Sequence, residues 1–459
     1  MAPRARSSHA HRRPGQLTAL AAVLVAAVVA SAADGPAPLG TCGPIARRHE
    51  HVEVKTLELR RLARTPIAQV GVVARRDGAV VPIPFQVDER EGRTIALDGG
   101  PVPSIDSRPG ILDPDDLVVF LPCDAGTRVS DAELARAIPG LRTWREVEIT
   151  DPLDGARGWV YVVIADTPPA TARRYVAYEP SGDLVSAAMY RVGLVQALPD
   201  YFAVAMESPL GPNLLDGLRL RANATLRGGI GTFRLTERDA RNSLLAWKAG
   251  PVRVVRRSRH DVDLLGLGIH VSAGIANTTF YPLHVFAPGS MRLPISPGLI
   301  FRRIEAMGGV DLRDLRGWRF VAPGTPPEGF VIDGAMDAAE RAFKADGTWF
   351  VLAHEHEAIL VTITLSPNLA ARIPFGVLYE DDAGHAAPPE HVTGSVPLVG
   401  FRGRDIEGLP ADRYRFDLRV FLLPGYRAGD AERVLRERDA PVIVTVSPMP
   451  GAGDRAAPR

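Results

Sequence analysis

Lysine is almost missing from this 459-residue chain. Lys55, Lys248 and Lys344 are the only three, so arginine supplies nearly all of the 54 basic side chains. Alanine, glycine and proline are abundant beside it, which reads as the composition of a high-GC bacterial genome rather than an adaptation to a ligand. Arginine still binds carboxylates well wherever it clusters. Charge of one sign is lacking too: the formal net charge is +1 and no basic block stands out along the chain. That argues against nucleic acid and against an anionic membrane surface as partners. After residue 33 no apolar run approaches the ~20 residues that span a bilayer, so no transmembrane anchor is expected once a signal is removed. Catalytic signatures are missing as well. No G-x-S-x-G elbow, Walker loop, dinucleotide fingerprint, haem-attachment motif or H-E-x-x-H occurs.

Cysteine is scarce, with Cys42 and Cys123 alone. In an oxidising compartment the two are expected to pair, and closing a loop of about 80 residues would stabilise the fold by about 4.5 kcal/mol in the chain-entropy model. The alternative is two unrelated buried thiols. A lipobox at Leu39-Gly40-Thr41-Cys42 is poorly placed, because the polar stretch Asp34 to Pro38 separates it from the apolar run.

That apolar run is the clearest thing present. Arg4, Arg6, Arg12 and Arg13 form a basic head, Leu17 to Ala30 is uncharged and greasy, and Ala30-Ser31-Ala32-Ala33 supplies small residues. These are the parts of a secretory signal peptide over residues 1–33, which predicts a secreted or periplasmic protein. About 425 residues remain, enough for two or three domains and a large core.

Strand signals dominate the remainder. Val52 to Leu59 alternates cleanly, and Ala68 to Ala74 and Val80 to Val87 flank an Asp77-Gly78 hairpin turn. Further runs are Leu117 to Leu121, Glu146 to Thr150, Trp159 to Ala165, Val252 to Arg256, Ile269 to Ala273, Trp349 to Ala353, Ala358 to Thr364, Tyr414 to Leu422 and Val442 to Val446. Helical signals are few. Ser130 to Glu133 is a capping box, Thr236 to Leu245 could form a helix, and Asp430 can cap Ala431 to Arg438. Many short strands with isolated helices predict a mainly β protein of antiparallel sandwiches, the larger one of super-sandwich type. A loose boundary near residue 180 gives an N-terminal β domain over 34–180 and a larger sandwich over 181–448. Residues 449–459 read as a disordered tail.

Two stretches carry a resemblance. Val81-Pro82-Ile83-Pro84-Phe85-Gln86-Val87-Asp88-Glu89, followed by Leu112-Asp113-Pro114-Asp115-Asp116-Leu117-Val118-Val119-Phe120, resembles a pairing in secreted bacterial β-sandwich proteins of uncharacterised function. Gly250-Pro251-Val252-Arg253-Val254-Val255-Arg256 is similar to a strand opening of galactose-mutarotase-like super-sandwiches. Sugar epimerases, some polysaccharide lyases and non-enzymes share that fold. The resemblance implies a β-sandwich and a carbohydrate ligand, and fixes no activity.

Several clusters could carry chemistry. Asp113, Asp115, Asp116 and Asp124 offer the hard oxygens calcium prefers, off the EF-hand spacing; the plainer reading is a turn whose carboxylates cap backbone amides. His354-Glu355-His356-Glu357 would sit at a hairpin tip, where His354 and His356 could share a zinc ion if His284, His385 or Asp381 supplied a third ligand. Otherwise it is a polar tip. Asp381, Asp382, His385, Glu390 and His391 occupy a loop-like segment that could serve acid–base chemistry or simply be a loop. Arg253 and Arg257 share a strand face with Arg259, and with His270 they suggest an anion site for acidic sugars; an edge strand that uses charge against aggregation has the same pattern.

Two functions follow. The favoured one is an exported, non-catalytic β-sandwich protein that binds a glycan or another envelope component, with no cofactor beyond a structural calcium ion at most. The alternative is a carbohydrate-active enzyme, lyase or epimerase-like, using Arg253, Arg257 and His270 in a concave pocket. That pocket is what separates them.

Overall fold

The computed structural model describes residues 35–59, 62–195, 198–204, 211–229, 231–264, 269–344, 346–384 and 396–447. The segment expected to be a signal (1–33), the stretch expected to be a tail (449–459), His385, Glu390 and His391 lie outside the described residues. The architecture is mainly β, in antiparallel sheets joined by short helices.

Near the N-terminus two sheets face each other. One holds Val52–Lys55, Leu117–Phe120 and Phe85–Asp88. The other orders Ile443–Val446, Leu141–Thr150, Arg157–Ala165, Val70–Arg76 and Ala79–Pro82. Val52, Val54, Val118, Phe120, Val147, Ile149, Val160 and Val162 fill the space between them. Leu117–Phe120 is apolar at every position because it is covered on both faces: Val118 and Phe120 enter this core, whereas Leu117, Val119 and Leu121 enter the larger one. The hairpin between Val70–Arg76 and Ala79–Pro82 turns at Asp77 and Gly78, whose φ values of 50° and 81° suit the primed turns that match strand twist.

The larger core lies between a five-stranded and a nine-stranded sheet. The first orders Thr232–Thr236, Leu215–Leu226, Phe301–Leu312, Leu398–Gly403 and Phe375–Glu380. The second begins Ala240–Ala249, Val254–Leu264, Ile269–Phe280, His284–Leu293 and Asp412–Leu423, and continues through Ala358–Leu365 and Trp349–Ala353 to Arg319–Val321 and Phe330–Val331. A four-stranded meander runs from Val176–Glu179 to Leu198–Val204, so the turn of its first hairpin falls where a domain boundary at residue 180 was expected. The last strand, Ile443–Val446, returns to the N-terminal sheet and pairs with Leu141–Thr150.

Helices are short. Asp131–Ala137 starts where the capping box predicted, with the Ser130 side chain accepting the Glu133 amide. The helix expected over Thr236 to Leu245 does not form. Thr236 and Asp239 close a capping box around one 3-10 turn, and Ala240–Ala249 then pairs along Val254–Leu264 as a strand. Sheet pairing outweighs weak local helix preference.

Candidate functional site

The two motifs that carry the sequence resemblance bind each other. In Phe85–Asp88 the side chains of Gln86 and Asp88 lie on one strand face. Gln86 Oε1 accepts the amides of Val252 at 3.2 Å and Arg253 at 2.9 Å, while its Nε2 donates to Asp88 Oδ1 at 2.7 Å. Asp88 Oδ2 accepts Arg253 Nε at 2.8 Å and Nη2 at 2.6 Å. Arg253 Nη1 donates to Tyr281 Oη at 2.9 Å and to Glu53 at 2.5 Å. Gly250 is glycine for contact: a Cβ there would lie 2.0 Å from Gln86 Oε1. This clasp ties the N-terminal three-stranded sheet to the nine-stranded one.

An aromatic and imidazole stack extends the clasp. His51 lies 4.3 Å from the Tyr281 ring, Tyr281 lies 4.3 Å from His284, and His284 lies 5.7 Å from Phe421. Burial drives the His51 and His284 pKa values down, and pushes Tyr281 up to about 12. Burial also opposes ionisation of Glu53, but the His51 hydrogen bond and the Arg253 charge outweigh it and hold that carboxyl low. Burial opposes the charge on Arg253, and Tyr281, Asp88 and Glu53 more than restore it. Every guanidinium nitrogen of Arg253 donates to a protein acceptor, so the group is a structural tie.

Arg257 is committed elsewhere. Its Nε donates to Asn277 Oδ1 at 3.0 Å, Nη1 to Ser104 Oγ at 3.2 Å and Nη2 to the Ile95 carbonyl at 3.1 Å. Four residues along extended backbone separate it from Arg253 by about 13 Å. The backbone of His270 pairs with Asp263, and its side chain lies outside the described residues. Arg253 and Arg257 therefore do not converge on one anion.

The acidic turn caps backbone. Asp116 accepts the amides of Asp113 at 2.6 Å and Arg90 at 2.9 Å, and Asp115 accepts that of Gly92 at 2.5 Å. Asp113 pairs with Arg108, and Asp124 accepts the Tyr175 hydroxyl at 2.7 Å. His354 and His356 sit at the expected hairpin tip between Trp349–Ala353 and Ala358–Leu365. There His354 stacks on Trp318 at 5.2 Å, and His356 lies beside Glu355 in solvent. Buried Asp381 accepts the amides of Asp333 and Gly334. Among the described residues no three His, Cys, Asp or Glu side chains gather as a metal site. Cys42 and Cys123 are bonded, as expected.

A cleft that the sequence reading missed opens on the N-terminal sheet. It has a volume of 640 Å³ and is lined by Arg128, Val129, Ser130, Asp131, Trp144, Glu146 and Ser447. Trp144, Glu146 and Glu148 alternate along one strand face, opposite Val163, Tyr161 and Trp159. Glu146 is braced: Arg128 grips both its oxygens, at 3.1 and 2.8 Å, and the Tyr161 hydroxyl donates to Oε2 at 2.9 Å. Tyr161 Oη in turn accepts the Val129 amide at 2.8 Å. The Ser447 amide bonds the Glu146 carbonyl, so the C-terminal strand forms one wall. The cleft thus places a half-buried indole beside a braced carboxylate, its largely exposed guanidinium partner and two serine hydroxyls. The available signal was the alternation Trp144-Arg145-Glu146-Val147-Glu148, which reads simply as a strand unless the partner face is known.

No protein-family model matches the chain, and no curated protein sequence matches it. Among solved structures, an α-mannosidase from Enterococcus faecalis V583 is 9% identical over 87% of this chain and 44% of its own length, with a TM-score of 0.42. A protein of glycosyl hydrolase family 38 from Enterococcus faecalis is 9% identical over 87% of this chain and 45% of its own, with a TM-score of 0.43. The chain spans less than half the length of these two proteins.

Proposed function

We propose that this is an exported, non-catalytic β-sandwich protein that binds a glycan or another envelope component in the Trp144 cleft. Export rests on the signal-like residues 1–33. The observation that carries the binding reading is the braced Arg128–Glu146 pair beside Trp144. A sugar ring offers an apolar C–H face that an indole covers, and hydroxyls that a carboxylate accepts from and a guanidinium donates to. Small-molecule sites combine apolar contact with a few placed polar groups, and the braced Glu146 is one such group. Against the enzymatic alternative stands the commitment of Arg253 and Arg257 to separate protein acceptors, which keeps these two from sharing one substrate anion.

The test is calorimetric titration of the exported protein with a panel of envelope oligosaccharides, repeated with Trp144→Ala and Glu146→Gln. Each variant is expected to weaken binding by at least about tenfold, the loss of one aromatic or charge-assisted contact. Affinity unchanged in both variants would overturn the assignment of the cleft. Turnover of a uronic-acid polymer that survives both variants and disappears with Arg257→Ala would favour the enzyme.

A further inference from the structure

One end of the large sandwich gathers features that local energetics disfavour. Strand His284–Leu293 leads away from the clasp for about 30 Å and ends in a loop. In that loop Ile295, Leu299 and Ile300 are 47%, 70% and 44% exposed. Neighbouring segments fix it in place. Arg227 donates from its amide to the Ile300 carbonyl and from its side chain to that of Gly298, and Ser296 Oγ donates to the Leu409 carbonyl at 2.9 Å. The apolar tip is therefore built, not a loose end.

Arginine surrounds it. Arg227, Arg292, Arg302, Arg303, Arg404 and Arg413 are exposed on the segments that meet there, against the exposed acids Glu305, Asp405 and Asp412. Glu407, a further acid, is half-buried and accepts the Ile304 amide. Two of these arginines stand where they cost stability. Arg292 lies directly across the ladder from Arg413, a like-charge pair. Arg303 has a φ of 54° at the register shift between Leu215–Leu226 and Phe301–Leu312, a bulge that turns its side chain out of the alternation. Backbone strain of this kind clusters at functional sites.

We infer that this end docks on an anionic lipid surface, with Leu299 and its neighbours entering the headgroup boundary and the arginine rim meeting the lipid phosphates. Exposed branched aliphatics inside a basic ring match both halves of such an interface. The inference goes beyond glycan binding and uses a different face of the molecule. The arginines come from distant parts of the sequence, so a net charge of +1 conceals them.

The experiment uses the chain from Asp34 onward, free of the apolar leader, in co-sedimentation with vesicles of phosphatidylglycerol and phosphatidylcholine, and of phosphatidylcholine alone. Partition onto the anionic vesicles is expected to be at least about tenfold stronger and to fall with salt. Arg302→Ser with Arg303→Ser, and separately Leu299→Asp with Ile300→Asp, should each lower it on the order of tenfold at an unchanged urea midpoint. No partition onto anionic vesicles, or partition untouched by both double variants, overturns the inference. So does capture by a soluble acidic polysaccharide without vesicle binding.

Discussion

Arg253 shows how a residue with the chemistry of an active site can be spent on architecture. Its guanidinium and the Asp88 carboxylate are both buried and are each other's main partner, with Glu53 also on Arg253 and Lys248 Nζ 3.9 Å from Asp88. Arg253→Met should therefore cost up to about 3–5 kcal/mol in urea denaturation, the penalty for taking the two-pronged partner from a buried carboxylate that keeps only Gln86 and, at 3.9 Å, Lys248. The double change Arg253→Met with Asp88→Leu should recover much of that loss, since it removes the stranded charge along with its partner. No recovery would mean that Glu53 and Tyr281 hold the junction through the Arg253 guanidinium itself. His49, beside the same stack, makes a pH prediction. Burial pushes its pKa down to about 4 although the Leu422 carbonyl bond opposes the shift. The unfolded imidazole takes a proton near pH 6.5. The contribution of His49 is thus complete above 6.5 and is lost as pH falls from there towards 4. Neighbouring Glu50, raised to about 7 by burial, acts in the opposite sense, its contribution being lost as pH rises through 7. The effect of His49 is isolated by His49→Gln: the stability difference between parent and variant should shrink by up to about 1.4 kcal/mol per unit between pH 6 and 5. A difference independent of pH there would show the folded imidazole to be charged.

At the scale of elements, the disulfide staples the segment before the first strand to the 3-10 turn Pro122–Asp124. The Gly43 amide and Arg76 Nη1 both donate to the Cys123 carbonyl, so the staple is reinforced by hydrogen bonds. Joint replacement of Cys42 and Cys123 by alanine should cost up to about 4.5 kcal/mol in the chain-entropy account of a span of 81 residues, read as a shifted denaturation midpoint. The strands on both sides of this staple were legible because period-two alternation is local, and so was the Asp77-Gly78 turn, where two consecutive positive φ values need those residue types. The helix expected after Thr236 failed for the converse reason. Its N-terminal signal was real, but the strand partner that claimed Ala240–Ala249 is not visible in that window. The Asp113 to Asp116 turn was open between calcium and amide capping for the same cause: the capped amides of Arg90 and Gly92 belong to a distant hairpin.

At the scale of the whole molecule, the chain closes on itself, and this is what hid the cleft. Gln86 and Arg253 are 167 residues apart, and Ser447 reaches Glu146 only because the C-terminal strand returns to the first sheet. Sequence alternation shows which residues share a face but not which strands will be neighbours, so the Trp144 site was out of reach, and of its strand Leu141–Thr150 only Glu146 to Thr150 was read. The return is held by Arg47, which pairs with Asp151 and donates to the carbonyls of Glu437 and Ala440, and by Glu50, which accepts the Val442 amide. These contacts fasten helix Asp430–Asp439 and strand Ile443–Val446 to the N-terminal unit. A chain ending at Ala440 keeps the helix and loses the strand. It should be less stable by roughly 3–4 kcal/mol, about one net unit for each lost ladder bond. It should also expose the Leu141–Thr150 edge, a template for pairing between copies. Light scattering should then show concentration-dependent association that the full chain lacks, and the oligosaccharide binding proposed for the cleft should weaken as Ser447 leaves its wall. If the shortened chain stays monomeric, equally stable and equally able to bind, the returning strand neither seals the sheet nor builds the site.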